Sequence, residues 1–185
     1  LKSIVLPANL KSIYAYAFDE CSALESVSFP PALELLDSST FENCVSLVSV
    51  KLPDSLTYAG PSEFLGCSQL ADFNIPRGLK YLPALMFSRC IGPEELIIPD
   101  NIEQIEEFVF QGCTGIKRVT IGSGVYKIYA GAFYECANLD ELYCMPTTPP
   151  AMSEMVLTGC SSELKIYVPS GSVDAYKAAE GWSEY

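Results

Sequence analysis

The stretch Ala17-Phe18-Asp19-Glu20-Cys21 recurs along the chain at a fixed interval and decides the fold. Later copies end in cysteines that are 23 residues apart, with a last interval of 24: Cys44, Cys67, Cys90, Cys113, Cys136 and Cys160. A fixed period in the twenties is typical of a solenoid, in which stacked coils bury one continuous core. The sequence therefore predicts a mainly β repeat solenoid over 1–169, with about seven 23-residue repeats plus a last strand row, and a C-terminal cap over 170–185.

Aligned on the cysteines, the repeat has the consensus L-x-x-I-x-L-P-x-x-L-x-x-I-x-x-x-A-F-x-x-C. Its I-x-L core alternates with a period of two, which indicates a short strand with both aliphatic side chains facing inward. The proline that follows lacks an N–H and ends the strand. The second apolar pair predicts a turn or a short extended segment on the opposite wall, and the spacing of Phe and Cys favours one helical turn.

Two columns of repeated side chains should form the core of the convex side. The aromatic column consists of Phe18, Phe41, Phe64, Phe87, Phe110 and Phe133, and the thiol column of Cys21 and the six cysteines that follow it in the series. Residues one repeat apart stack at the spacing of neighbouring strands, with parallel side chains whose Cβ atoms lie slightly too far apart for a disulfide. We therefore expect a column of buried free thiols that act as small apolar groups.

Composition excludes several classes of function. Histidine is absent, so the Ser-His and Cys-His pairs of nucleophilic catalysis cannot form, and we predict no enzymatic activity and no cofactor. The net charge of −12 argues against nucleic acid and anionic membrane surfaces as partners. No apolar run approaches the length of a membrane helix.

The fifth repeat carries a concentration of carboxylates: Glu94, Glu95, Asp100, Glu103, Glu106 and Glu107. These side chains could hold Ca²⁺, dock a basic partner, or form a solvated face of the coil. Because their spacing matches no calcium loop, we favour the solvated face and predict no metal site.

Two further segments depart from the repeat. In the third repeat, Gly60-Pro61 predicts an irregularity in the convex wall, and Glu63 stands where the consensus has alanine. After the last strand, residues 172–182 predict an amphipathic cap helix with Ser172 as its N-cap. Val173, Tyr176 and Ala179 should share its inner face, with Trp182 covering the end of the core.

The consensus resembles the BspA-like, or Treponema pallidum type, leucine-rich repeats, and the resemblance covers essentially the whole chain. The tail, with Ile166-Tyr167-Val168-Pro169 and Gly181-Trp182, is similar to the ending of such surface proteins from Bacteroidales. The resemblance implies a right-handed coil with a parallel concave sheet, and short helical turns or strands on the convex side. It also implies secretion or outer-surface attachment and binding of proteins or host surfaces. The chain begins at Leu1, inside the repeat pattern and without a polar cap, and we interpret this end as a truncation, a processed end or a boundary introduced by cloning.

Strand alternation identifies the exposed positions of the concave sheet, where leucine-rich repeats usually bind. These positions are small and neutral in the first repeats and carry charge and tyrosine in the later ones. The candidate binding residues are Asp72, Asn74, Glu95, Arg118, Thr120, Glu141, Tyr143 and Tyr167. We predict a monomeric, adhesion-type binding module for an unidentified protein or glycan; the alternative is a structural spacer of a larger surface protein with no ligand of its own.

Overall fold

The computed structural model describes residues 1–185 and is a parallel β solenoid closed by one short helix. We number its coils 1 to 7, spanning 1–23, 24–46, 47–69, 70–92, 93–115, 116–138 and 139–162, and count the strand row after them as coil 8. Each complete coil has a concave wall, a second wall and a turn wall. None of the helices is long and apolar enough to cross a membrane.

The concave wall contains the I-x-L strand of each coil, paired in parallel with the same residues one repeat away. Its strands are β1 (Ser3–Val5), β3 (Ser26–Ser28), β5 (Ser49–Val50), β7 (Asp72–Phe73), β9 (Glu95–Ile98), β11 (Arg118–Ile121), β13 (Glu141–Cys144) and β15 (Lys165–Tyr167). They form two four-stranded sheets, β1-β3-β5-β7 and β9-β11-β13-β15. The predicted parallel sheet is therefore confirmed, although it is divided between coils 4 and 5.

The second wall contains two-residue strands from the second apolar pair of each coil. They are β2 (Ser12–Ile13), β4 (Leu35–Leu36), β6 (Tyr58–Ala59), β8 (Tyr81–Leu82), β10 (Gln104–Ile105), β12 (Lys127–Ile128) and β14 (Ala151–Met152). This wall is also divided, into β2-β4-β6 and β8-β10-β12-β14, so that its gap falls between coils 3 and 4.

The turn wall holds the Phe and Cys columns and consists of hydrogen-bonded turns rather than the helical turn that the spacing suggested. Each turn of this wall has two residues with positive φ, as at Tyr16 and Glu20. Residues with positive φ interrupt the right-handed helical conformation, so the turn does not form a helix. Every second N–H of this wall donates to the next coil; the Phe18 N–H reaches the Thr40 carbonyl at 2.9 Å. All of these cross-coil bonds point towards the C-terminal end.

The Phe column forms a continuous stack of rings. Successive ring centroids lie 5.0 to 5.9 Å apart from Phe18 to Phe133. The rings of Phe41 through Phe133 are completely buried, whereas Phe18, at the open end, is only partly covered. The predicted core of the convex side is present.

All eight cysteines are free thiols, and they do more than fill space. From Cys44 onward, each thiol of the column donates to the Phe carbonyl of the preceding coil; the Cys113 Sγ lies 3.2 Å from the Phe87 oxygen. Burial raises the pKa of Cys44 to about 12 and that of Cys160 to about 11. The thiols thus remain protonated donors that link one coil to the next.

Coil 4 lacks one strand ladder to each of its neighbours: the second-wall ladder to coil 3 and the concave-wall ladder to coil 5. Pro83 occupies the position whose N–H donates to the preceding coil elsewhere, as the Gly60 N–H does to the Leu36 carbonyl at 2.9 Å. On the concave wall, the missing ladder is the one between β7 and β9 of coil 5. Towards coil 3, where β5 and β7 still pair, the Asn74 side chain extends the pairing: its Oδ1 accepts from the Leu52 N–H at 2.8 Å, and its Nδ2 donates to the Leu52 carbonyl at 2.9 Å. Gly60 and Pro61 themselves keep the regular bonds, since the Pro61 carbonyl accepts from the Ser39 N–H at 3.0 Å as its equivalents do, so the predicted irregularity is not found at these residues.

Glu63 places a carboxyl group inside the turn wall of coil 3, where it is fully buried. Its Oε1 accepts from the Gly60 N–H at 3.2 Å, and its Oε2 has no hydrogen-bond partner. Burial raises the pKa of Glu63 to about 9. The side chain is therefore a protonated acid in the folded protein at neutral pH.

The cap begins with a 3₁₀ turn, Ser170–Ser172, and continues as helix α1 (Val173–Ala178). Tyr176 and Trp182 are buried beneath it, and the Trp182 Nε1 donates to the Pro150 carbonyl at 2.8 Å. Two details of the prediction were wrong. Ser172 does not cap the helix with its side chain, because its hydroxyl donates to the Thr147 carbonyl, and Val173 is exposed.

Candidate binding surface

A column of alternating charge runs along the start of the C-terminal concave strands. Arg118 lies between two carboxylates of neighbouring coils: its Nε donates to Glu141 at 2.6 Å, and its Nη1 donates to Glu95. The hydrogen bond to Glu141 raises the pKa of Arg118 above its usual value, so the guanidinium stays charged. Three of the predicted binding residues are thus held in one ordered, solvent-facing network.

A second column, two residues further along the same strands, presents Ile97, Thr120, Tyr143 and Tyr167. Ile97 is 67% exposed, and the Tyr143 and Tyr167 rings stack in parallel with centroids 4.5 Å apart. The parallel register places equivalent residues of successive coils side by side, which brings these side chains into one row. The sequence-based expectation that Thr120, Tyr143 and Tyr167 share a surface with Arg118 agrees with this arrangement.

A groove of about 490 Å³ adjoins this row where the strands end. It is lined in part by Arg77, Ile97, Thr120 and Met145. Arg77 makes no ion pair, which distinguishes it from Arg118. The binding prediction did not include Arg77 and Met145, because they follow the strand motif, where alternation no longer assigns a face.

Asp72 and Asn74, the candidates from coil 4, lie apart from this group and have bonds within the solenoid. Asp72 forms an ion pair with Lys51, whose Nζ lies 2.7 Å from the Asp72 Oδ1. Asn74 is engaged with the Leu52 backbone, as described above. Neither side chain joins the network around Arg118.

The carboxylates of coil 5 do not converge on one point. Glu94 pairs with Lys117 and Glu103 with Lys80, on different walls of the coil. The Asp100 carboxylate accepts hydrogen bonds from the Ser123 N–H and hydroxyl, which lower its pKa. No group of three or more acidic or thiol side chains is arranged to hold a metal ion.

Comparison with known proteins agrees with the repeat architecture. The chain matches the family described as BspA type Leucine rich repeat region, in six copies over residues 1–93 and 84–178. No curated protein matches the chain.

Solved structures of bacterial leucine-rich repeat proteins are similar to it. The T. pallidum leucine-rich repeat protein is 26% identical with a TM-score of 0.81, over 97% of this chain and 83% of that one. The protein from Bacteroides ovatus is 26% identical with a TM-score of 0.70, over 95% of this chain and 47% of that one. A third, from Eubacterium ventriosum, shares the fold at 21% identity and a TM-score of 0.75, over 91% of this chain and 45% of that one.

The chain therefore spans about half the length of the Bacteroides ovatus and Eubacterium ventriosum proteins. Leucine-rich repeat proteins are typically non-enzymatic scaffolds, and no catalytic family is indicated. The six-fold family match covers nearly all of the solenoid described above. The chain belongs to the BspA-type leucine-rich repeat family.

Proposed function

We propose that the chain is a secreted or cell-surface binding module that recognises a partner protein or glycan with the concave face of coils 5 to 8. The observation that carries the proposal is the side-by-side arrangement of the charged column, Glu95, Arg118 and Glu141, and the row from Ile97 to Tyr167. Tyrosine and arginine are enriched among residues that dominate binding energy, and interfaces combine an apolar centre with a polar rim. The groove with Arg77 and Met145 extends the same surface.

Pre-organisation supports this assignment. Arg118 is held by two hydrogen-bonded carboxylates and Tyr143 by stacking on Tyr167. Side chains that are already ordered lose less conformational entropy on binding. The concave face of coils 1 to 3 offers mainly small or isolated side chains, such as Ser26 and Ser28, in the same columns.

The test is binding of the purified chain to a glycan array and to a panel of immobilised extracellular-matrix proteins. Alanine replacement of Arg118, Tyr143 and Tyr167 should abolish any binding that the native chain shows. The matched control is Val5→Ala with Ser28→Ala, because these residues occupy the column of Tyr143 and Tyr167 in coils 1 and 2. Binding that survives the triple replacement, in a variant with native circular dichroism, excludes the concave face. Absence of any ligand for the native chain favours the spacer function instead.

A further inference from the structure

The last concave strand, β15, has an unpaired edge. Its only neighbour is β13. On that side, the Lys165 N–H donates to the Asp140 carbonyl, just before β13, at 2.8 Å. The repeat pattern shows which groups the next strand would meet: the Leu164 carbonyl, both backbone groups of Ile166 and the Val168 N–H. The cap supplies no hydrogen bond to any of them. An open row of this kind is a template for a further strand.

The apolar side chains behind this edge are also incompletely covered. Ile166 and Val168 are half-buried, whereas Leu142 and Cys144, their equivalents in coil 7, are 1% and 0% exposed. A groove of about 180 Å³ runs beside them, lined by Val173, Tyr176, Lys177, Trp182, Ser183 and Tyr185 in addition to Ile166 and Val168. One more strand with inward aliphatic residues would bury this surface as each earlier coil does.

The cap limits which segments can pair with the open edge of β15. Tyr176 donates to the Pro146 carbonyl at 2.8 Å, and Trp182 donates to that of Pro150, which fixes residues 170–185 beyond the end of the second wall. Glu180, Gly181 and Glu184 lie beside residues 152–156 of coil 7 and cover the end of its turn wall. The cap therefore lies where the second wall and turn wall of a further coil would be, and it leaves the backbone edge of β15 without a partner.

Charge indicates the kind of segment. The column at the start of the strands alternates as Glu95, Arg118 and Glu141, and Lys165 is its next member. Lys165 makes no ion pair, and Lys177 adds a second cation beside the groove. A carboxylate opposite Lys165 would continue the alternation.

We propose that the C-terminal edge binds an extended, acidic-aliphatic peptide segment of a partner protein, which adds to β15 as a parallel ninth strand. An Asp or Glu of the peptide lies at the level of Lys165, and aliphatic residues one and three positions later lie at the levels of Ile166 and Val168. Backbone hydrogen bonds hold the segment, and the groove and Lys165 select its sequence. Lys165 belongs to the concave face, whereas the backbone edge of β15 and the groove lie at the end of the solenoid, outside that face.

The chain supplies matched probes from its own strands. The peptide Pro-Glu-Glu-Leu-Ile-Ile-Pro, with the sequence of 93–99, places an acid opposite Lys165 and aliphatic residues in the groove. The peptide Ile-Lys-Arg-Val-Thr-Ile-Gly, from 116–122, has the same apolar pattern but places an arginine there. Trp182, the only tryptophan, lines the groove, so its fluorescence reports occupancy alongside the anisotropy of a labelled peptide.

The acidic peptide should bind saturably and the basic peptide about two- to fivefold more weakly, the range of an exposed ion pair. Lys165→Glu should reverse this order, whereas Lys2→Glu, at the opposite end, should leave it unchanged. N-methylation of both glutamates and of the first isoleucine of the acidic peptide should lower affinity at least about tenfold, because it removes the donors to the Leu164 and Ile166 carbonyls of β15; Lys117 and Arg118 donate in the same way to the Glu94 carbonyl.

Equal affinity for both peptides, or affinity unchanged by N-methylation, would show non-specific apolar contact and overturn the proposal. Unchanged Trp182 fluorescence at saturating peptide would place binding elsewhere and also overturn it. Sedimentation of the chain without peptide tests whether the chain itself assembles through this edge. Concentration-dependent assembly that Lys165→Glu abolishes would identify a second copy, not a partner peptide, as the occupant.

Discussion

The two halves of the concave sheet share one repeat but differ in what they present. Strands β1, β3, β5 and β7 have two or three residues, whereas β9, β11 and β13 have four. The longer strands carry two exposed columns of large or charged side chains, and the shorter ones carry mainly serine. The inward positions are apolar in both halves, so the core sustains the fold while the exposed columns of the later coils are specialised.

The halves meet at coil 4, which is joined differently on its two sides. It pairs with coil 3 through the concave wall and with coil 5 through the second wall. Only the turn wall continues through both junctions, as in the bond from the Phe87 N–H to the Val109 carbonyl at 2.9 Å. Phe73 adds aromatic packing across the junction with coil 5, where the concave ladder is missing, with its ring centroid 6.3 Å from that of Phe110.

The largest effect is expected from Phe87→Ala, which removes the ring shared by the two halves. Phe87 stacks on Phe64, Phe110 and Phe73, and its loss should cost about 3–5 kcal/mol of unfolding free energy. Phe18→Ala is the matched control, because Phe18 stacks on Phe41 alone at the open end. In urea unfolding, the free energy lost in Phe18→Ala should be less than half of that lost in Phe87→Ala. Equal costs would show that the junction does not depend on the aromatic column.

Glu63→Met tests whether the N-terminal half contains a pH-dependent weakness. Burial raises the pKa of Glu63 to about 9 from the ordinary 4.5, so the folded state binds the proton more tightly than the unfolded state. The contribution of Glu63 to the free energy of unfolding is therefore fully present below about pH 4.5. It is lost as the pH rises towards 9, by at most about 1.4 kcal/mol per pH unit.

Methionine occupies the same position in coil 4 as Met86, so the replacement should fit. At pH 7 the variant should be more stable than the native chain by about 2–3 kcal/mol, with a smaller dependence on pH. Glu42→Gln, on the exterior of the neighbouring coil, is the control and should retain the native slope. A native slope in Glu63→Met would assign the pH dependence to other groups.

Asn74→Ala should have an intermediate effect, because it removes the amide that extends the strand pairing between coils 3 and 4. The Leu52 N–H and carbonyl would both lose their partner, at a cost of about 1–2 kcal/mol. Thr120→Ala, at the same register in coil 6, where backbone pairing is intact, should cost less. Thermal unfolding of the two variants would decide, and a larger loss for Thr120→Ala would contradict the role assigned to Asn74.

The smallest effects are expected from the exposed ion pairs. Arg118→Gln and Lys51→Gln each remove a cross-coil contact at the surface, and each should lower the thermal unfolding temperature less than Asn74→Ala does, because exposed ion pairs contribute little to stability. The Arg118 cost should be the larger of the two, because two carboxylates lose their partner rather than one. High salt should reduce the difference, and a difference that persists in high salt would argue against a Coulombic origin.

The core could be predicted closely from sequence, because a stacked column requires the same residue type in every coil. Phe110 and Cys113 lie where the repeat places them, and Trp182 covers the end as expected. The junction between coils 3 and 4 could not be predicted, because it depends on the side-chain amide of Asn74, which imitates backbone, and on the N–H that is missing at Pro83. The thiol-to-carbonyl bonds were missed for a similar reason: spacing shows that cysteines stack but not where their protons point.

The orientation of the cross-coil hydrogen bonds has a mechanical consequence. These bonds lie along the solenoid axis, so tension between the two ends loads the coils in series, and the weakest junction yields first. That junction adjoins coil 4, where one ladder is absent on either side. Each released coil of 23 residues would add about 80 Å of extended chain. Under load the solenoid would therefore lengthen stepwise from its middle, while the concave face of coils 5 to 8 kept its shape.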